Sequence, residues 1–299
     1  MTARQTAPHT AYEHITVAPV SGAIGAEIGG VDLAKPLSDG ALAEIRRAFV
    51  EHLVIFFREQ DITPEQHKAF ARHFGALHVN DFFPRVEGHD DVQLIVKEPD
   101  DRKNVGEVWH SDVTYAKCPA LGSLLYAKEV PPYGGDTMFA NMYLAYETLS
   151  DGMRALLRGL KAQHSAAENF AKRAADARDR AAGFRYSENA EQEAVHPAIR
   201  THPESGRDAL YVNRSFTKSF AGMTREESAP ILGFLFDHLS RPEFTCRLRW
   251  RAGTLAFWDN RCAQHFAIND YHGHRRVMNR VTVLGDEPFL AERSIADAA

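Results

Sequence analysis

The chain predicts a mainly β fold with flanking helices, built on an antiparallel core that closes as a barrel or a sandwich. Three observations carry this. Strand-like segments outnumber helical ones in its second half. No regular βαβ alternation appears, so a parallel sheet is not indicated. Phe244, Cys246, Leu248 and Trp250 alternate with Thr245, Arg247 and Arg249, the period-two pattern of a half-buried antiparallel strand.

Taken in order, residues 1–12 read as a disordered lead, residues 13–292 as a single domain and 293–299 as a tail. Val17, Val20, Ile24 and Ile28, spaced by glycines, suggest a short strand and turns. Ser38 caps a helix carrying Leu42, Ile45 and Phe49 on one stripe. Leu53 to Phe57 follows at once as a buried strand. Thr63-Pro64-Glu65-Gln66 is a capping box with proline at the first helical position. Val92 to Val96 and Leu121 to Ala127 read as strands, Asn141 to Leu149 and Met153 to Leu160 as helices. Residues 166–190 are rich in Ala, Arg, Asp and Glu; they read as a solvated helix or loop, or as a mobile lid over a site. Ala209 to Val212 reads as a strand. Thr224 opens a second capping box, with Pro230 expected to kink or delay its helix. Thr254 to Trp258 and Arg276 to Leu284 close the set of strands.

Composition excludes several classes. The 299 residues are 44% hydrophobic and 25% charged, with a formal charge of -5, which argues against a nucleic-acid-coating surface. No apolar run approaches transmembrane length, and the polar N-terminus lacks a secretory core. Cys118, Cys246 and Cys262 are scattered, with no metal or redox spacing, which suits a reducing cytoplasm. A homo-oligomer, dimer or tetramer, is expected.

Chemistry concentrates at Val108 to Tyr115, around His110-x-Asp112. In an extended segment positions i and i+2 face the same side. The pair would then offer one nitrogen and one oxygen to a single point, two-thirds of a 2-His-1-carboxylate iron(II) site. Alone, such a pair is better explained by an exposed loop or a hydrogen-bonded pair. The best third ligand is His265, directly after a core strand, although His265 by itself is better explained as a core-edge histidine with a satisfied hydrogen bond. His272 and His274 lie in a glycine turn; His196 and His202 sit beside a proline or in a polar turn. On a strand, Arg276, Met278, Arg280 and Thr282 share one face. Two arginines on a core face need anions, unless the strand is an exposed edge. Gly134-Gly135-Asp136-Thr137 offers a tight turn and a hydroxyl donor.

Together, His110-x-Asp112, His265 and Arg276 eleven residues later resemble the taurine dioxygenase family of iron(II)/2-oxoglutarate-dependent dioxygenases, which includes the phenoxyalkanoate (2,4-D) and alkyl-sulfate dioxygenases. The similarity spans about residues 14 to 288. It rests on the order of Trp109-His110-Ser111-Asp112, Gly134 to Thr137, Thr201-His202-Pro203, Trp258-Asp259-Asn260-Arg261 and Arg276-x3-Arg280. The resemblance implies a double-stranded β-helix (jelly-roll), with Fe(2+) held by His110, Asp112 and His265, which are also the catalytic set. It implies that Arg276 and Thr137 bind 2-oxoglutarate, that O2 is consumed, and that Arg280 faces the anionic head of a small organic substrate. That substrate would be a sulfonate such as taurine, a sulfate ester or an aryloxyalkanoate. Asn80 and Phe83 stand where the taurine enzyme has a histidine and a tyrosine, and Gly106 where it has a polar contact. With Phe82, Tyr115 and Phe216 they imply a more apolar substrate pocket. The rival readings are a metal-dependent hydrolase, which would not need Arg276, and a non-catalytic jelly-roll binding module. Halogenation is disfavoured because Asp112 supplies the carboxylate.

Overall fold

The computed structural model describes residues 11–176 and 184–292. Its major sheet runs in the order Thr16–Pro19, Ala26–Gly29, Val54–Phe57, Leu255–Asp259, Ala120–Glu129, Arg276–Leu284, His89–Lys97 and Arg85–Val86, with Leu77–His78 also pairing Arg276–Leu284. A minor sheet sets Thr137–Asn141 between Thr245–Leu248 and Ala263–Ala267. All these pairings are antiparallel except Ala26–Gly29 with Val54–Phe57. The two sheets face each other as the jelly-roll that the sequence led us to expect.

Alternation along the major strands shows why their sequences are continuously apolar. Val54, Phe56, Leu125, Ala127, Ala256, Trp258 and Met278 join the core between the sheets. Ile55, Phe57, Leu124, Tyr126, Leu255, Phe257, Val281 and Val283 join a second core under the helices Asp39–His52 and Pro64–Arg72. Both faces are covered, so neither can be polar. Arg276 and Arg280 are in phase with Met278 and therefore point into the roll, not to an exposed edge.

The helix starts are those read from the sequence. Ser38 accepts from the Ala41 amide, and both capping boxes form, at Thr63/Gln66 and Thr224/Glu227. Asn141 turns out to be an N-cap, not a helical residue, its Oδ1 accepting from Tyr143 and Leu144. Leu53, expected in the strand, instead caps the preceding helix in the left-handed region (φ 65), its amide donating to Phe49 O. The helix Arg225–Leu239 starts on time and continues through Pro230.

Residues 1–10 of the expected lead, 177–183 of the expected lid and the tail 293–299 lie outside the described residues. Tyr12 is anchored, its hydroxyl donating to Glu51 Oε2 (3.0 Å) under the Arg47 guanidinium. Among the described residues no helix is long and apolar enough to cross a membrane.

Candidate metal centre and co-substrate site

His110 and His265 meet through the backbone first. Their amides and carbonyls exchange hydrogen bonds across an antiparallel bridge, 3.1 and 2.9 Å, which seats the two rings with centroids 4.1 Å apart. Asp112 does not reach the same point by strand alternation. The extended conformation stops after Ser111, whose hydroxyl donates to Ala263 O (2.8 Å), and Asp112 enters a turn. Val113 takes φ 59, a strained value for a β-branched residue.

The surroundings hold that turn from several sides. The Asp112 amide donates to Asn260 Oδ1 (3.1 Å). Asn213 Nδ2 donates to the Thr114 hydroxyl (3.0 Å), and His164 Nδ1 lies 3.1 Å from it. His196 Nε2 sits 3.0 Å from the carbonyls of Thr114 and Ala116. His196 and His202, read from sequence as sitting beside a proline or in a polar turn, are both buried, and each ring has a fixed internal partner.

Three ligand atoms converge. Asp112 Oδ1 lies 3.6 Å from His110 Nε2 and 3.8 Å from His265 Nε2. These spacings are too long for hydrogen bonds and suit three donors around one cation. His110 Nδ1 is 2.7 Å from Val108 O, which fixes its proton there and turns the Nε2 lone pair inward. Burial pushes both imidazoles below their usual range, with His110 adding to the effect at His265, so both are neutral near pH 7. Burial would raise Asp112, but the Arg280 guanidinium overrides it and holds the carboxyl well below the usual carboxylate range. Its outer oxygen, Oδ2, accepts from Ser123 (2.8 Å) and Arg280 Nη2 (2.5 Å). Two neutral imidazoles and an ionised carboxylate form a donor set that fits a divalent iron.

A second constellation lies on the inner face of Arg276–Leu284. Arg276 is 4% exposed and its Nε has no partner among the described residues. Its guanidinium carbon is 5.6 Å from the centre of the Trp250 ring, and Trp250 Nε1 donates to Thr137 Oγ1 (3.0 Å). Trp250 therefore joins the two residues expected at the co-substrate. A buried arginine with an open donor fits an incoming carboxylate.

The residues expected at the substrate also gather. Asn80, Phe83, Gly106, Tyr115, Phe216 and Arg280 line one cavity with His110 and Asp112. Asn80 Oδ1 is taken by the amides of Phe82 and Phe83, leaving its Nδ2 as the free end. Tyr115 packs edge-on against Phe216 and Phe170. Thr137 and Arg276 lie outside this lining.

Sequence reasoning missed four contributors. Ser123 was a lone polar residue in an apolar strand, which was its only signal. Asn260 grips both the Asp112 amide and Trp258 Nε1, and its Nδ2 donates to Ser123. Trp250 was read only as one beat of an alternating strand. Phe170 sits in the Ala/Arg-rich segment read as a solvated helix or loop or as a mobile lid, and was not itself singled out. There, the helix Ala167–Ala175 buries it against Phe82, Tyr115 and Phe184. A second buried group, His202, Asp259 and Cys262, is structural. The Asp259 carboxylate is saturated by Arg261 and His202.

Comparison with known proteins agrees with this geometry. The family model described as "Taurine catabolism dioxygenase TauD, TfdA family" matches residues 16–282. The chain is 36% identical to an alpha-ketoglutarate-dependent sulfate ester dioxygenase of Pseudomonas putida, over 95% of this chain and 93% of that one. It is 33% identical to the alpha-ketoglutarate-dependent 2,4-dichlorophenoxyacetate dioxygenase of Cupriavidus pinatubonensis, over 90% and 97%. The crystal structure of a taurine dioxygenase from Burkholderia xenovorans superposes with a TM-score of 0.79 at 40% identity, over 92% of this chain and 93% of that one. With a jelly-roll, a buried His-Asp-His cluster and a family match across nearly all of the described chain, the protein belongs to the TauD/TfdA family of iron(II)- and 2-oxoglutarate-dependent dioxygenases.

Proposed function

We propose that the chain hydroxylates a small organic anion with an apolar body, a sulfate ester or aryloxyalkanoate in preference to taurine. The observation that carries this is Arg280 standing at the edge of an aromatic cavity beside Asp112. A cation at one end and Phe83, Tyr115, Phe170 and Phe216 around it suit a ligand with an anionic head and an apolar remainder. When bound, iron(II) and 2-oxoglutarate supply oxidative decarboxylation: one oxygen atom of O2 ends in succinate with release of CO2, the other as a hydroxyl on a substrate carbon.

In this reading His110, Asp112 and His265 hold the metal and are the catalytic set. The Val108 carbonyl fixes the tautomer of His110, and Ser123 and Arg280 fix the rotation of Asp112. Arg276 and the Thr137 hydroxyl take the distal carboxylate of 2-oxoglutarate in a site from which water is excluded. Arg280 keeps Nη2 on Asp112 and turns its remaining donors to the substrate head, so the substrate's charge is set next to the metal ligands. Asn80 and Gly106 shape the polar rim. The helix Ala167–Ala175 roofs the cavity through Asn169, Phe170 and Arg173 and keeps it dry. A hydroxyl placed on a carbon bearing sulfate or aryloxy oxygen gives an unstable hemiacetal-type product, which would release sulfate or a phenol with a carbonyl compound. We further place the protein in the cytoplasm as a homo-oligomer, consistent with its scattered free cysteines.

The test is a substrate panel of taurine, longer sulfonates, alkyl sulfates and phenoxyalkanoates. Succinate formed above the uncoupled background is measured, with Asp112→Ala as control. Coupled turnover restricted to taurine would refute the preference, and full turnover by Asp112→Ala would refute the metal assignment.

A further inference from the structure

Lys97 is the last residue of the strand His89–Lys97 and pairs in register with Arg276. Residues directly opposite on antiparallel strands share a face, with Cβ atoms about 4.5–5.5 Å apart. Both residues are 4% exposed. Lys97 Nζ has no hydrogen-bond partner among the described residues, nor does Arg276 Nε. The ammonium lies 4.3 Å from the centre of the Tyr271 ring, a contact that satisfies none of its three N–H donors.

Two buried cations side by side repel each other and forfeit hydration. Asp136 offsets only part of the burial cost at Arg276, and no neighbouring carboxylate among the described residues bonds either cation. Asp136 Oδ2 accepts from Arg247 Nε (2.6 Å), and Glu98 and Glu129 both pair with Arg275. Among the described residues neither cation has an ion-pair partner, which leaves room for the counter-charge of a ligand. We propose that Lys97 is a second cationic contact for the distal carboxylate of 2-oxoglutarate, acting beside Arg276. This rests on the reading that Arg276 takes that carboxylate. The co-substrate pocket of this chain is thus a two-cation cradle. A terminal carboxylate can engage the guanidinium with one oxygen and the ammonium with the other, and its arrival cancels a repulsion that the ligand-free protein carries.

This gives the site a signature that a purely structural lysine would lack. Lys97→Met keeps the length and apolar packing of the side chain and removes the charge. Ligand-free Lys97→Met should unfold at a higher temperature than the parent, because the repulsion with Arg276 is gone. Its affinity for 2-oxoglutarate should fall about tenfold, the loss of one charge-assisted contact offset by the relief at Arg276. The stabilisation that 2-oxoglutarate confers should shrink accordingly.

The experiment titrates 2-oxoglutarate into the iron(II)-loaded protein without oxygen, following the metal-to-ligand absorption. Unfolding temperatures are measured in parallel with and without 2-oxoglutarate. Lys97→Arg, which restores a cation, should recover most of the affinity. Unchanged affinity in Lys97→Met, with a lower ligand-free unfolding temperature, would reduce Lys97 to a packing contact on Tyr271 and overturn the inference. Arg276→Met separates the two layers of the argument. If Arg276→Met weakens binding and Lys97→Met does not, only the second cation is wrong. If Arg276→Met also binds normally, the co-substrate assignment itself fails.

Discussion

Replacing Gly106 with alanine asks how tightly the substrate rim is coupled to the metal ligands. Gly106 has φ +87, a conformation that L side chains rarely adopt. A Cβ built on it would sit 3.2 Å from His110 Cε1 and 3.7 Å from the Ala267 Cβ. The backbone cannot retreat easily, because Gly106 O accepts from the Ala267 amide (2.9 Å). His110 cannot retreat either, since its amide and carbonyl are bonded to His265 and its Nδ1 to Val108. Two effects therefore add. The left-handed backbone costs about 1–2 kcal/mol, which for a chain of this size lowers the unfolding temperature by about 2–6 °C. The crowding moves the imidazole by a few tenths of an ångström, and displacing a metal ligand's support typically weakens metal binding about 10- to 100-fold. The assay is thermal unfolding of the metal-free protein, with anaerobic iron(II) titration of parent and variant. Unfolding shifted as expected but iron affinity unchanged would refute the coupling to His110 and leave Gly106 as a backbone device alone. If neither changed, the strain argument would also be wrong.

Other outcomes follow from the same contacts. Arg280→Met should raise KM for the best substrate about 30-fold or more, by loss of a part-buried charge-assisted contact. It should also weaken iron binding, because Asp112 loses a partner, so 2-oxoglutarate affinity is compared at saturating iron(II), where it should stay close to the parent's; equal losses for both ligands there would contradict the division between Arg276 and Arg280. Ser123→Ala frees Asp112 Oδ2 on one side and should weaken iron binding about tenfold with little change in fold; isothermal titration reads it. Stability should fall in mild acid. Burial lowers His67 and His164 to about 3, so the unfolded chain binds more protons than the folded one between pH 6.5 and about 3. Their contribution is complete above pH 6.5 and is lost as the pH falls towards 3, at about 1.4 kcal/mol per pH unit for each group. His67→Leu should remove one such slope in denaturant titrations between pH 4 and 6, and an unchanged slope would count against a neutral buried His67.

What could be read from the sequence divides along a physical line. Helix starts were legible because a cap is a local device: Ser38, Thr63 and Thr224 act within three residues of themselves. The arginine face was legible because period two holds along the whole of Arg276–Leu284. The candidate metal ligands were legible as residues but not as geometry. Nothing in Ser111-Asp112-Val113 announces that the strand breaks there. A valine at φ 59 is held by Asn260, Asn213, His164 and His196, and those partners come from far along the chain. Residues that orient the ligands stayed hidden for the same reason. Nothing local announces the roles of Ser123 and Trp250, because each acts through bonds to side chains far away in the sequence or on another strand. Phe170 was masked by composition, since one aromatic among alanines and arginines leaves average hydropathy low while supplying the cavity roof.

The same distinction explains the double duty of Arg280. Periodicity placed it in the roll and chemistry assigned it an anion. The fold gives it one already, Asp112 Oδ2 at 2.5 Å. A substrate head arriving at Arg280 would share that guanidinium with a metal ligand, and the attraction between Arg280 and Asp112 would weaken as the substrate's charge is added. Asp112 would then donate more strongly to the metal when substrate is present than when it is absent. That couples substrate arrival to the electronics of the centre without any movement of the backbone. Arg280→Lys keeps a point charge but loses the fork that serves two partners at once. It should therefore bind substrate with modest loss yet uncouple 2-oxoglutarate consumption from product formation, read as succinate formed in excess of hydroxylated product. A lysine variant that stays fully coupled would show that the shared guanidinium has no such part.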